Sequence, residues 1–231
     1  MTSVDSITTS VVQHRLTAIV AEMGEAMLRT SYSQILNSSR DFSTGICDSE
    51  CRLVAQAEHI PIHVGALAFA AESVDEYFKG SVKPGDVYLL NDPYFGGSHL
   101  PDVTAFVPVF AAGKLLFWTI NRAHHSDIGG ATYGAYNPTA TSIFQEGIRI
   151  TPIKLYDQGA VRQDILDMLL SKNLAHLMLI DYLLFDLLKH YDPHHCPQIQ
   201  ADSYNPNFHS TAHLLDNPCF LYNYYLKMEH Y

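Results

Sequence analysis

Apolar residues recur at helical spacing over residues 6–31, where Ile7, Val11, Leu16, Ile19, Val20, Met23, Met27 and Leu28 mark one side of a long N-terminal helix. Asp5 or Ser6 stands where an N-cap oxygen is needed. The period then changes. Phe42-Ser43-Thr44-Gly45-Ile46-Cys47-Asp48 reads as a strand, Ser49-Glu50 as a turn, and Arg52-Leu53-Val54-Ala55-Gln56 as the returning strand of a β-hairpin. A second helix is expected from His63 through about Phe78, with Ala70, Val74 and Tyr77 on one side. Lys83-Pro84-Gly85-Asp86 is a turn, and Val87-Tyr88-Leu89-Leu90 a short buried strand. Residues 103–110 and 115–120, joined by Ala112-Gly113, pair as a further hairpin. Gln163 to Ser171 starts another helix, with Ile165, Leu166, Met168 and Leu169 apolar. Hairpins dominate the middle, and neither βαβ alternation nor an internal repeat is visible. The pattern predicts an α+β fold with a mixed or antiparallel sheet.

No period of 3.6 or 2.0 survives past about residue 190. Residue usage breaks near Lys172. All seven arginines lie between Arg15 and Arg162, while seven of the 13 histidines and seven of the 14 tyrosines follow Lys172. Residues 1–172 are therefore expected to form the organised part. Residues 173–231 are expected to be an irregular, divergent tail, either appended or read in the wrong frame, and poorly packed. His194, His195 and Cys196 in that tail read as a fortuitous cluster rather than a metal site.

Composition narrows the class. With 231 residues and 47% hydrophobic content, the chain can fold around a core without a disulfide or metal staple. Fourteen basic against 24 acidic side chains leave a formal charge of −10, which disfavours nucleic acid or an anionic membrane as partner. No run of 18 apolar residues occurs, and Met1-Thr2-Ser3-Val4-Asp5 lacks a secretory pattern, so a cytoplasmic protein is expected. Cys47 and Cys51 are spaced poorly for zinc or redox chemistry; with Cys196 and Cys219 they read as reduced thiols.

Chemistry-bearing residues cluster at strand ends. Asn91-Asp92-Pro93-Tyr94-Phe95-Gly96-Gly97-Ser98-His99-Leu100-Pro101-Asp102 follows one apolar strand, and Asn121-Arg122-Ala123-His124-His125-Ser126-Asp127-Ile128-Gly129-Gly130 another. Each reads as a Gly-rich loop leaving a rigid strand, where sites commonly form. Imidazole and carboxylate suit zinc, manganese or iron, and two His with one carboxylate leave positions open. One loop or turn can aim His99 and Asp102 together, and the intervening hairpin would return His124 beside them. The alternative is loops closed by Asx turns with hydrogen-bonded histidines. Gly96, Gly97, Gly129 and Gly130 lack P-loop or GxGxxG spacing, and there is no GxSxG elbow. Cys47 reads as a buried thiol before a nucleophile.

These residues carry a family resemblance. Ser39-Arg40-Asp41-Phe42-Ser43, the stretch Arg52 to His63, Pro84-Gly85-Asp86-Val87, Asn91 to Asp102, Asn121 to Gly130, and Phe144-Gln145-Glu146-Gly147-Ile148-Arg149-Ile150 fall in the order seen in the hydantoinase B/oxoprolinase family. That family includes the alpha subunits of acetone and acetophenone carboxylases. The resemblance covers about residues 10–172 and fades thereafter, although family members are more than twice as long. It implies a component of an ATP-dependent cyclic-amide hydrolase of the hydantoinase or 5-oxoprolinase type, acting on a small-molecule substrate. It implies a hetero-oligomer with a hydantoinase A-type subunit that binds ATP. It also implies a divalent metal (manganese, zinc or iron) on His99, Asp102 and His124, acting as a Lewis acid. His125, Asp127 and Arg122 are the candidate catalytic groups. Asp92 and Arg149 are possible substrate contacts, and His59 and His63 possible cleft residues. A truncated, non-catalytic remnant that binds the partner, and a ketone carboxylase subunit, are the alternatives.

Overall fold

The structure, a computed structural model, describes residues 5–31, 33–57, 60–132 and 137–171. The predicted tail with His194, His195 and Cys196, and also His59, lie outside the described residues. Helix α1 (Ser6–Thr30) starts where the cap was expected: the Asp5 carboxylate accepts from the Thr8 amide at 2.9 Å and the Thr8 hydroxyl at 2.6 Å. Leu16, Val20, Met23 and Met27 bury its face, but Ile7 and Val11 are 75% and 43% exposed. Periodicity marks a helix face without showing how far along it a sheet will reach. A short helix, α2 (Gln34–Ser39), follows; six residues are too few for a period to announce. It ends on Arg40 in the left-handed region, at φ 50°.

The strands are β1 (Phe42–Asp48), β2 (Leu53–Gln56), β3 (Val87–Leu90), β4 (Asp102–Ala111), β5 (Lys114–His124), β6 (Ile153–Asp157) and β7 (Ala160–Val161). They form one sheet in the order β2-β1-β5-β4-β3-β6-β7, and every pairing is antiparallel. Helix α3 (Pro61–Tyr77) lies between β2 and β3 in sequence, and α4 (Gln163–Leu170) follows β7. β6 and β7, five and two residues long, lie outside the strands expected from the pattern. Asp86, buried in the turn before β3, accepts from the Lys83 amide at 2.9 Å, the Tyr88 hydroxyl at 2.6 Å and the Gln158 amide at 2.9 Å. It thereby ties that turn to the β6–β7 hairpin. Among the described residues no helix is long and apolar enough to cross a membrane.

Side chains alternate across a strand, so β1 faces two helices. On one face the Thr44 hydroxyl donates to the Val20 carbonyl of α1 at 2.8 Å, and Phe42 and Ala123 pack with Met27 and Leu36. On the other, Cys47, Tyr88, Leu90, Phe106, Trp118 and Ile120 meet Leu67, Ala70, Ala71 and Val74 of α3. Tyr77, expected on that buried side, is exposed and lies edge-on to Phe95 at 6.4 Å between centroids. In α4 only Leu169 is fully buried, and Met168 is exposed.

Gly45 lets α3 approach β1, because a Cβ there would stand 3.0 Å from Leu67 Cδ1 and 3.2 Å from Leu53 Cδ1. Leu67→Ala should lower stability by about 2–5 kcal/mol through the cavity it leaves. Gly45→Val should cost about 1–3 kcal/mol by forcing both leucines aside. Urea unfolding followed by circular dichroism checks both; a Leu67→Ala midpoint equal to that of the parent would contradict this packing.

Candidate metal centre

The site is made by strand register. β4 begins at Asp102 and β5 ends at His124, and these two residues are directly paired across the ladder. Cross-strand partners on one face bring Cβ atoms within about 4.5–5.5 Å. His124 Nδ1 lies 3.0 Å from Asp102 Oδ1. His99 sits three residues before β4 in a turn closed by the Asp102 amide donating to the His99 carbonyl at 3.0 Å. That turn brings His99 Nδ1 to 2.8 Å from Asp102 Oδ2, with the two imidazole rings 5.0 Å apart. The three residues each offer a ligand atom, and these atoms lie within 4.8 Å of one another. Two imidazoles and one carboxylate form a borderline donor set suited to zinc, manganese or iron, so the residues fit a divalent ion.

The apolar pattern ends the second hairpin strand at Ile120 and leaves Asn121 to His124 in a loop. The structure corrects this, because β5 stays laddered to β1 as far as Phe42↔Ala123 and to β4 as far as Asp102↔His124. Hydrogen bonding on both edges keeps the chain extended through polar residues that carry no strand signal. His124 is thus held by sheet rather than by loop.

Two further residues converge. His63, buried near the start of α3, places Nε2 3.0 Å from Asp102 Oδ2 and 3.6 Å from Asp41 Oδ1. Asp41, immediately before β1, puts Oδ2 3.7 Å from His124 Nδ1 and is 29% exposed. In the sequence Asp41 stands only within the Ser39-Arg40-Asp41-Phe42-Ser43 motif. Its signal was an acidic residue just ahead of a strand that would lie beside β5, and strand order is not readable from one sequence. Burial opposes charge on Asp102, which is 1% exposed, yet hydrogen bonds from His124, His63, His99 and Ser98 outweigh it. They hold its carboxyl well below the usual carboxylate range. The Asp102 hydrogen bond raises the His99 imidazole above its ordinary value, against the opposing effect of burial.

The other sequence candidates have different surroundings. Arg122 is 0% exposed, and its donors go to Thr104 Oγ1 at 2.8 Å, the Gly96 carbonyl at 2.9 Å, the His63 carbonyl at 3.3 Å and Ser98 Oγ at 3.4 Å. Burial brings its pKa down to about 10, so it stays a cation. It does not present a face to a substrate. His125 is buried, with its amide donating to the Pro101 carbonyl at 2.9 Å. Asp127 accepts from the Gly129 amide at 2.9 Å, an Asx turn. Asp92 is buried and pairs with Arg149 Nε at 2.5 Å, while the Arg149 guanidinium lies 5.2 Å from the centroid of the Tyr94 ring. Gly97 and Gly130 permit close backbone approach, since a Cβ at either would collide with the carbonyl of Asn91 or of Glu146. Cys47 and Cys51 are buried free thiols, pushed up to about 12 chiefly by burial.

The metal-free chain should show a two-sided pH profile. A depressed Asp102 contributes stability above its unfolded pKa of about 4, and this is lost as pH falls toward the folded value. A raised His99 contributes stability below its unfolded pKa of about 6.5, lost as pH climbs through the folded value. Thermal melts in chelator should peak at about pH 4–6.5. Asp102→Asn should flatten both limbs relative to the parent, because it removes the shifted carboxyl and the partner that raises His99. Parallel profiles for parent and variant would contradict this electrostatic picture.

Residues 5–188 match the family described as Hydantoinase B/oxoprolinase. The chain is 40% identical over 171 residues to caprolactamase subunit beta of Pseudomonas jessenii, covering 74% of this chain and 29% of that one. It is 41% identical over 155 residues to a 5-oxoprolinase of Pestalotiopsis fici, covering 67% and 12%. It thus spans under a third of the length of both relatives. The crystal structure of the ATP-dependent caprolactamase from Pseudomonas jessenii superposes with a TM-score of 0.68 at 35% identity, over 83% of this chain and 35% of that one. An acetone carboxylase in its nucleotide-free form shares the fold with a TM-score of 0.71 at 22% identity, over 78% and 24%. The motifs that suggested a resemblance lie within the matched residues, and the chain belongs to the hydantoinase B/oxoprolinase family.

Proposed function

We propose that this chain is the metal-holding part of an ATP-dependent hydrolase of cyclic amides, a B-type component that works with an ATP-binding A-type subunit. The observation that carries the reading is the meeting of His99, Asp102 and His124 at paired strand ends. Relatives named as a caprolactamase beta subunit and as 5-oxoprolinases support a lactam or related cyclic amide as the substrate class. The acetone carboxylase likeness supports the shared fold and does not favour a ketone substrate.

His99, Asp102 and His124 would hold the divalent ion, and the Asp41 carboxylate stands beside them, 3.7 Å from His124 Nδ1. The ion supplies Lewis acidity toward a carbonyl oxygen or a water. The chain's own groups arrange the rest. His99, with its side chain 44% exposed, marks the face open to solvent, while Asp102 and His63 close the interior side. The partly exposed Asp41 carboxylate is a candidate proton acceptor, and Asp127 has one oxygen beyond its turn contact. His125 follows a ligand directly in sequence and is packed inside, where its backbone amide ties the end of β5 to the Pro101 carbonyl. Arg122 acts from the interior.

Elemental mass spectrometry on the purified chain tests the reading. Near-stoichiometric manganese, zinc or iron is expected, falling at least tenfold in His99→Ala and His124→Ala. Asp41→Asn should weaken the same site less, because its carboxylate stands 3.7 Å from His124 Nδ1 and outside the cluster of three ligand atoms. A folded parent that stays metal-free under supplementation with all three would defeat the proposal. Metal binding without lactam-dependent ATP turnover beside an A-type subunit would favour the non-catalytic, partner-binding reading.

A further inference from the structure

A fully buried guanidinium costs several kcal/mol to desolvate unless its donors are placed. Arg122 is such a group, and among the described residues no carboxylate lies within ion-pair distance of it. Its donors go instead to the elements that surround Asp102. Nη2 holds the Gly96 carbonyl, fixing the turn that leads into Ser98. Nη1 reaches both Ser98 Oγ at 3.4 Å and the His63 carbonyl at 3.3 Å. Nε donates to Thr104 Oγ1, which sits beside Arg122 on the β4 ladder. Arginine donates and never accepts. The Ser98 hydroxyl therefore takes a hydrogen bond from Arg122 and must send its own proton onward, and its acceptor is Asp102 Oδ2.

Asp102 Oδ2 receives three donors: Ser98 Oγ, His63 Nε2 at 3.0 Å and His99 Nδ1 at 2.8 Å. Oδ1 receives one, His124 Nδ1 at 3.0 Å. A ring nitrogen that ligates an ion cannot also donate a proton, so an ion taken up on the Nδ1 atoms that face Asp102 displaces the bonds from His99 and His124. Ser98 and His63 then remain, both on Oδ2. His63 suits this duty: its Nδ1 is buried without a hydrogen-bond partner among the described residues, as expected of a ring that carries its proton on Nε2.

Resting on the metal reading above, we propose that Arg122 is a positioning residue. Through Ser98 and the His63 backbone it commits Oδ2 of Asp102 to two protein donors, and so directs Oδ1 alone to the ion. The guanidinium governs how the carboxylate binds metal without touching metal or substrate. A lysine offers a point charge and cannot hold these directions at once.

Titration of the full-length, metal-stripped chain with Co2+, read by its visible absorption and by chelator competition, tests this. Ser98→Ala should weaken Co2+ binding about tenfold or more and change the absorption envelope, and Ser98→Thr should restore both. Arg122→Lys should weaken binding at least as much. The double variant Arg122→Lys/Ser98→Ala should be no weaker than Arg122→Lys, since both act in one chain of donors. Should Arg122→Lys fail to fold, the Ser98 pair decides alone. Parental affinity and spectrum in Ser98→Ala, with the parent binding Co2+, would overturn the positioning role and leave the metal reading standing. No Co2+ binding by the folded parent would overturn both.

Discussion

A carboxylate almost wholly removed from water must be surrounded by donors, and Asp102 dictates where three other parts of this chain meet the start of β4. The turn carrying Ser98 and His99, the start of α3 with His63 and the end of β5 with His124 all deliver a hydrogen bond to it. Buried alone, the group would be protonated or would destabilise the fold by several kcal/mol. Surrounded, it stays charged and becomes the anion around which a cation can be held. The same contacts that keep Asp102 ionised make the cluster suitable for a metal, because donors to a carboxylate can give way to a divalent ion.

The scaffold beneath this point is a consequence of pairing. Asp102, Thr104 and Phe106 share a face of β4 with Ile120, Arg122 and His124 of β5, since residues two apart along a strand point the same way. Toward the middle of the sheet that face is apolar, and α3 seals it with Leu67, Ala70 and Val74. Toward the strand ends it turns polar, and the first turn of α3 contributes His63 instead. A single helix and a single sheet face therefore change from core to site within a few residues. Gly96 marks the boundary: with φ of 87° and no side chain, it lets the loop after β3 approach the α3 backbone beside Ala70.

Several charged groups that look available for chemistry in the sequence serve as internal ties. Asp92 and Arg149 pair across residues 57 apart, joining the loop after β3 to the segment before β6. Asn91 completes that tie by accepting from the Ile150 amide at 2.6 Å and donating to the Leu100 and Ile148 carbonyls. The polar residues that hold the loops in place thus lie interleaved with those of the His99, Asp102 and His124 cluster. A solvent-facing side, marked by His99 and Asp41, and an interior side, marked by His63 and Arg122, follow from the burial of each.

The sequence by itself carried a good deal. Local period and cap chemistry specified α1, α3, the hairpins and the α+β class, because those signals are short-range. His99 and Asp102 were legible as a pair because three residues of separation bring side chains together in one turn. Pairing His124 with them needed only the assumption of a hairpin. Tertiary structure decided the rest. The polar stretch Asn121–His124 became strand because ladders on both edges satisfied its backbone, which no local propensity could foretell. Asp41 joined the site because β1 lies beside β5, pairing Phe42 with Ala123 from far along the chain. Arg122, a candidate catalytic group by sequence, is an interior cation because the strand turns it toward α3. Contacts set by distant pairing leave no period in a single sequence, and the inner half of this site is made of such contacts.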